Sequence, residues 1–370
     1  MCEKYRSIVN LGDIGYMSGV FQKIESENKL GIVYLGGSIT MGCNADPEEN
    51  RYVNLSAKWW NKKFPGSEIT FFNAGIGATT SQFGAARVQR DVLDKDPDLV
   101  FIEFSVNDDD DLTFMETYES LVRRILKHKS VKAVIIINNL FYDTGKNAQG
   151  IHNAVGIHYG LPIVSMRDYI YPQILSGDID RSTYTDDMLH PKNIGHKTIA
   201  EIIVDLLETE YKYYKCSGGK IGKPELAEKL TPCRYEDAAV FQNFNCKPVL
   251  KGFTEDTNKI DRFSDPFKNG WISGKKGDSI IFNAQGNIIM LQWRRTVDKP
   301  APIACAVIDG NESNRIILDA NFEETWGDLC CLTTLCENAG KGSHTVEVRI
   351  EQEGRSDNPF MLISLITADN

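Results

Sequence analysis

The chain has 370 residues, more than one small core needs, so two domains are expected, and its 42% hydrophobic and 25% charged residues exclude an intrinsically disordered protein. A formal net charge of −10 excludes a nucleic-acid or anionic-membrane partner, because either needs a basic surface to displace counterions or meet lipid phosphate. No apolar run approaches the ~18 to 20 residues of a membrane span.

The first stretch, MCEKYRSIVNLGDIGYMSGVF, has short apolar runs broken by Asn10, Gly12 and Asp13, so it reads as lacking a signal-peptide core. Nine cysteines, an odd number with no CxxC pair, read as reduced thiols in a cytoplasmic protein. From Lys29 to about Glu210 the chain alternates between short apolar runs and amphipathic stretches. The predicted strands are Gly31–Leu35, Ile69–Asn73, Leu99–Phe104, Ala133–Asn138 and Leu161–Met166. Helical patterns cover Tyr52–Phe64, Gly84–Leu93, Phe114–His128 and Asn193–Glu208. Continuous apolar strands separated by helices predict a parallel sheet covered on both faces, a three-layer flavodoxin-like α/β domain over residues 1–210. Residues 211–235, with glycine, lysine and two prolines, read as a linker. In residues 236–370, short alternating runs such as DSIIFNA, NIIMLQWRR, HTVEVRIE and FMLISLITA lie between turn residues, which predicts an antiparallel β-sandwich of about eight strands.

In a doubly wound sheet of order 2-1-3-4-5, ligands sit beyond the carboxyl ends of the strands where the order reverses. Ser38 follows strand 1, Asn73 to Ala78 follow strand 2 and Asn107 follows strand 3, so three loops converge on one place. A hydroxyl beside main-chain N–H groups and a side-chain amide suits acyl transfer, in which negative charge develops on the carbonyl oxygen as serine adds. The base is supplied by TDDMLHPKNIGH, where Asp187 and His190 stand three residues apart. A carboxylate there can accept the imidazole N–H, fix its tautomer and stabilise the imidazolium.

At these residues the chain resembles the SGNH, or GDSL-like, hydrolases, whose four blocks match GGSIT, NAGIGATTS, EFSVND and DDMLHP. The resemblance implies Ser38 as nucleophile, His190 as general base and acid, Asp187 as its orienting partner and an oxyanion hole from Ser38, Gly77 or Ala78, and Asn107. Two positions depart from the pattern: Ala78 stands where the second block usually has glycine, and Ser105 where the third does. The order of catalytic domain, then jelly roll, resembles the family-17 carbohydrate esterases, mannan O-acetyl esterases whose module is similar to family-35 carbohydrate-binding modules. It implies an acetylated oligosaccharide as partner; no cofactor is expected, and calcium, which family-35 modules commonly hold, has no compelling oxygen-ligand cluster in the sequence. Of Trp271, Trp293 and Trp326, Trp326 in the turn TWGD is the preferred sugar platform, since rings stack on sugar C–H faces.

Other features receive structural readings. GGS without GxGxxG or GxxxxGK[ST] is not a phosphate cradle. His196 reads as a packing residue, Cys43 as unactivated, and His128, His152, His158 and His344 as lacking an adjacent partner. The acidic run Asp108–Asp111 reads as a solvated loop, with Asp108 placed to brace Asn107. A lipid esterase or thioesterase, a glycan-binding protein with a vestigial triad, and an acetyltransferase remain the rival readings.

Overall fold

A computed structural model describes residues 7–219, 222–257, 265–340 and 342–369. The first strand, β1 (Ile8–Asn10), is followed by α1 (Ile14–Glu27), β2 (Lys29–Gly36), α2 (Ser38–Met41), α3 (Tyr52–Lys63), β3 (Glu68–Gly75) and α4 (Ser81–Asp91). Then come β4 (Leu99–Glu103), α5 (Leu112–Lys127), β5 (Ala133–Asn138), α6 (Gln149–His158), β6 (Ile163–Ser165), α7 (Met166–Leu175) and α8 (Asn193–Cys216). The sheet order is β1-β6-β5-β4-β2-β3. Five strands are parallel, and β1 pairs antiparallel with β6 at the edge. The five predicted strands all form, in the expected order. Their central members are buried on both sides, as the unbroken apolar runs of β4 and β5 require. Helices α1, α3 and α8 pack together as one layer, and α4, α5 and α6 as the other.

Four helices and one strand were not predicted. Asp13 caps α1 by accepting the Gly15 N–H, and Tyr16, Val20 and Ile24 form a buried stripe along it. The strand β1 has three residues, α2 has four, and α6 and α7 carry mixed, weakly periodic sequences.

The predicted linker is largely built into the first unit. Helix α8 continues to Cys216 because Tyr211, edge-on, and Tyr214, tilted, pack against Phe21 and donate to Glu25. Lys220 and Ile221 lie outside the described residues. Beyond them the chain is strapped down. Lys223 donates to the carbonyls of Leu126 and Val131, Arg123 to that of Ala227, and the Leu230 and Thr231 N–H groups to Glu119. The two compact units accordingly meet in sequence at Cys233 and Arg234.

The second unit has eleven described strands: β7 (Ala239–Phe241), β8 (Val249–Lys251), β9 (Thr254–Glu255), β10 (Trp271–Ser273), β11 (Ser279–Gln285), β12 (Ile288–Arg295), β13 (Ile303–Ile308), β14 (Ile316–Asp319), β15 (Leu329–Cys336), β16 (Ser343–Gln352) and β17 (Phe360–Ala368). They form two antiparallel sheets, β15-β12-β17-β10-β9 with β7 also on β17, and β14-β13-β16-β11-β8. Between them lies one core of alternating residues, including Ile280, Phe282, Leu291, Val346, Val348 and Leu362. The count exceeds the expected eight because β7 to β10 are only two or three residues long. Trp271 and Trp293 belong to this core, 0% and 4% exposed, so neither is a sugar platform. Trp326 is 59% exposed and rests edge-to-face on Phe322.

Candidate active site

Strands β2, β3 and β4 end side by side, and their last residues, Gly36, Gly75 and Glu103, open directly into the site. The single turn α2 begins at Ser38 and packs so closely that a Cβ on Gly75 would collide with the Met41 N–H. Gly37 likewise has no room for a Cβ, because the Asn107 amide occupies that space. Asn73 fastens the arrangement: its amide donates to the Thr40 carbonyl at 2.8 Å and its oxygen accepts the Gly75 N–H at 2.9 Å. Beneath them the buried Arg87 donates to the carbonyls of Ala74 at 2.7 Å and Gly36 at 3.1 Å, tying the ends of β3 and β2 together.

Ser38, His190 and Asp187 form a continuous hydrogen-bonded chain. His190 Nδ1 lies 2.7 Å from Asp187 Oδ2, and Nε2 lies 2.8 Å from Ser38 Oγ. With the ring proton on Nδ1, donated to the carboxylate, Nε2 accepts the serine hydroxyl. Asp187 is itself held by the N–H groups of His190 at 2.7 Å and Leu189 at 3.0 Å, and by Thr185 Oγ1 at 3.1 Å. Partial burial works to raise its pKa. The His190 side chain, the two backbone N–H groups and the charge of His190 outweigh burial and hold it at about 2. The His190 loop is anchored by the Tyr142 N–H on the Met188 carbonyl and by the Lys192 N–H on the Tyr184 carbonyl.

Of the other predicted residues, Asn107 stands against Gly37, beside Ser38 in the chain. Gly77 borders Ser38, since a Cβ there would stand 3.8 Å from Ser38 Cβ. Ala78 has φ 55°, the left-handed region that explains why glycine is the usual residue at this place in the block. Ser105 does what glycine could not: its hydroxyl donates to Glu103 at 3.2 Å and accepts the Asn139 N–H at 2.7 Å. Glu103 is fully buried beneath the Ser38 turn. Desolvation pushes its pKa up to about 7 against hydrogen bonds from Asn139 and Ser105.

His196 is fully buried, accepts the Tyr52 N–H and lies with Nε2 3.1 Å from the Cys43 carbonyl oxygen. Burial drives its pKa down to about 4, so it is a packing residue and not a second base. Burial, then the charge of Asp187, pushes the Cys43 thiol up, which leaves it unactivated. The acidic run is exposed at Asp109, Asp110 and Asp111, as expected of a solvated loop, and buried at Asp108. Asp111 caps α5, Asp110 accepts the Ile151 N–H, and Asp108 is buried with His152, a histidine whose partner stands 44 residues away. Among the described residues, no group of three or more His, Cys, Asp or Glu could hold a metal ion, and no helix is long and apolar enough to cross a membrane.

Residues 34–198 match the model of the GDSL-like Lipase/Acylhydrolase family. The whole chain is similar to a two-domain esterase (CEX) active on acetylated mannans, at 40% identity and a TM-score of 0.94, covering 99% of this chain and 98% of that one. The structure of such an esterase co-crystallised with mannopentaose matches with a TM-score of 0.93, also at 40% identity and over 99% and 98% of the two chains. The uncharacterized lipoprotein YqeF of Bacillus subtilis (strain 168) is 36% identical over 81 residues, 21% of this chain. The chain thus spans about a third, 31%, of that protein's length.

Proposed function

Because the chain belongs to the GDSL-like lipase/acylhydrolase family in its two-domain esterase form, we propose that it is a serine esterase that removes O-acetyl groups from carbohydrate, mannan-type oligosaccharides being the favoured substrates. The observation that carries this reading is the unbroken Asp187–His190–Ser38 chain in a protein alike over its full length to an esterase active on acetylated mannans.

In this mechanism Ser38 Oγ attacks the acetyl carbonyl while His190 Nε2 takes its proton. The charge that develops on the carbonyl oxygen is met by the Ser38 N–H, the N–H of Gly77 or Ala78, and the Asn107 amide. His190 then protonates the departing sugar hydroxyl. It next removes a proton from water, which attacks the acyl-enzyme, and returns that proton to Ser38 Oγ as the acyl bond breaks and acetate leaves. Asp187 holds the imidazole in register throughout and stabilises its charged form. Trp326 supplies an exposed ring for stacking on a sugar face. An odd count of nine cysteines with no CxxC pair supports a reducing compartment, the cytoplasm.

The test is acetate release from acetylated mannan, acetylated xylan and p-nitrophenyl esters of increasing chain length, with Ser38→Ala as control. Release chiefly from mannan oligosaccharides, lost in Ser38→Ala, is the expected result. Rates that climb with acyl length would replace it with a lipid esterase or thioesterase. Full activity in Ser38→Ala would remove the mechanism.

A further inference from the structure

We propose that Asp108 and His152 form a buried brace that sets the spacing between the two loops carrying the oxyanion donors, which makes both of them positioning residues for the reaction. The inference rests on the oxyanion roles proposed above for Asn107 and for Gly77 or Ala78.

The two donor loops come from different strands and have no covalent reason to keep a fixed separation. Asn107 follows β4, while Gly77 and Ala78 follow β3 and lead into α4. One carboxylate joins them. Asp108, the residue next to Asn107, accepts the Ser81 N–H at the start of α4 at 2.8 Å, three residues past Ala78. Its second oxygen lies 3.0 Å from His152 Nε2, and neither side chain is exposed to any degree. His152 is in turn fixed by the Tyr118 ring, which it overlies at 3.7 Å between centroids and 13° between planes. The brace therefore runs from α6 through His152 and Asp108 to α4, with Tyr118 of α5 as its floor. Further bonds stiffen both ends: Thr79 Oγ1 donates to the Ile76 carbonyl at 2.7 Å, and the Ala148 N–H donates to the Ser105 carbonyl at 2.7 Å.

The other three acidic residues of the run have different duties. Asp109 stands 3.6 Å from Lys146, Asp110 accepts the Ile151 N–H at 3.1 Å, and Asp111 accepts the Phe114 N–H at 2.9 Å. Only Asp108 reaches the second donor loop among these four. A buried carboxylate is costly to desolvate unless its oxygens are met by donors, and here both are. His152 matters because it keeps one oxygen satisfied and so leaves the other aimed at Ser81.

Displacing a donor by a fraction of an ångström weakens its bond to the oxyanion far more than its contact with the ground-state carbonyl, so the loss falls on kcat and not on KM. The experiment compares His152→Phe, His152→Gln and Asp108→Asn, each alone and with Asn107→Ala, by p-nitrophenyl acetate kinetics, thermal melts and the rate at which a small fluorophosphonate modifies Ser38. His152→Phe keeps the ring contact with Tyr118 and removes the donor. It is expected to melt cooperatively and to lose ~10- to 100-fold in kcat with KM within about two-fold. Fluorophosphonate modification should slow in parallel, because its adduct is also tetrahedral. His152→Gln, which still donates to Asp108, should recover most of the rate. On the Asn107→Ala background the His152→Phe loss should shrink, since one of the two donors whose spacing the brace sets is already gone. Folded His152→Phe and Asp108→Asn proteins with wild-type kcat, or with a change in KM alone, would overturn the brace while leaving the mechanism intact. If Asn107→Ala itself is as fast as wild type, the oxyanion reading fails, and the brace with it. Should His152→Phe not fold, Asp108→Asn and His152→Gln decide by the same criteria.

Discussion

Asn107 fills the gap that Gly37, the residue before the nucleophile, leaves by having no Cβ. An Asn107→Ala variant keeps that gap and loses the amide. It should therefore retain substrate affinity and lose ~10²- to 10³-fold in kcat, about 2.7 to 4 kcal/mol of transition-state stabilisation. Steady-state kinetics on p-nitrophenyl acetate checks this. Trp326 is the opposite kind of residue, an exposed ring proposed to meet the sugar and not the acetyl group. Trp326→Ala should raise KM for acetylated oligosaccharides by roughly 3- to 10-fold, the worth of one stacked ring, and leave p-nitrophenyl acetate turnover unchanged. Equal effects on both substrates would take it out of the binding surface. Asp187 and His190 could be paired from the sequence because three residues in one turn settle their contact. Asp108 and His152 could not, because 44 residues, with α5 and β5 among them, separate the two before the fold closes. Asn73 and Arg87 escaped for another reason: both hold the site through main-chain groups, which leave no side-chain pattern in the sequence.

At the level of helices and strands, legibility followed length and periodicity. The five parallel strands, four of the helices and the long strands of the sandwich were legible because burial on one or both faces writes itself into apolar runs. Short elements such as β1 and β7 to β10 take their stability from pairing with neighbours and leave no such mark. Helix α1 did carry a signal in Tyr16, Val20 and Ile24, obscured by the glycines at 15 and 19. The packing of α8 on α3 has a measurable consequence through His196. Its folded pKa of about 4 lies below the ~6.5 of an unfolded histidine, so its contribution to stability is complete above about pH 6.5 and is lost as pH falls toward 4. The amount is on the order of 3 kcal/mol. Glu103 works in the other direction: its raised pKa lowers stability as pH rises from ~4.5 through about 7. His196→Gln retains a donor and an acceptor and does not titrate. Urea unfolding of this variant should lose less stability than wild type on acidification from pH 6.5 to 4, with the opposing slope of Glu103 left in place, and an identical slope would refute the assignment.

For the whole molecule, composition located the change from helical to sandwich sequence correctly in kind but put the end of the first unit too early. Glycine, proline and lysine describe a tether in water. They do not reveal that Glu119, which has no exposure, waits for them. Its carboxylate accepts the Leu230 N–H at 2.6 Å, the Thr231 N–H at 2.7 Å and the Thr231 hydroxyl at 2.5 Å, as well as the Tyr159 hydroxyl. Burial works to raise its pKa, and these donors outweigh it and hold the group below the usual range. A chain ending after Cys233 should give a cooperative thermal melt by circular dichroism. One ending after Glu210 should not, since it leaves Glu119 without three of its donors and strips Tyr211 and Tyr214 from Phe21. The same strap imposes an order on biosynthesis. A ribosome that has just released α8 has made every strand of the parallel sheet and all the residues proposed for chemistry, yet the face around Glu119 still lacks its cover. Closure of the first unit therefore waits until Cys233 has cleared the tunnel, with the sandwich already being translated behind it.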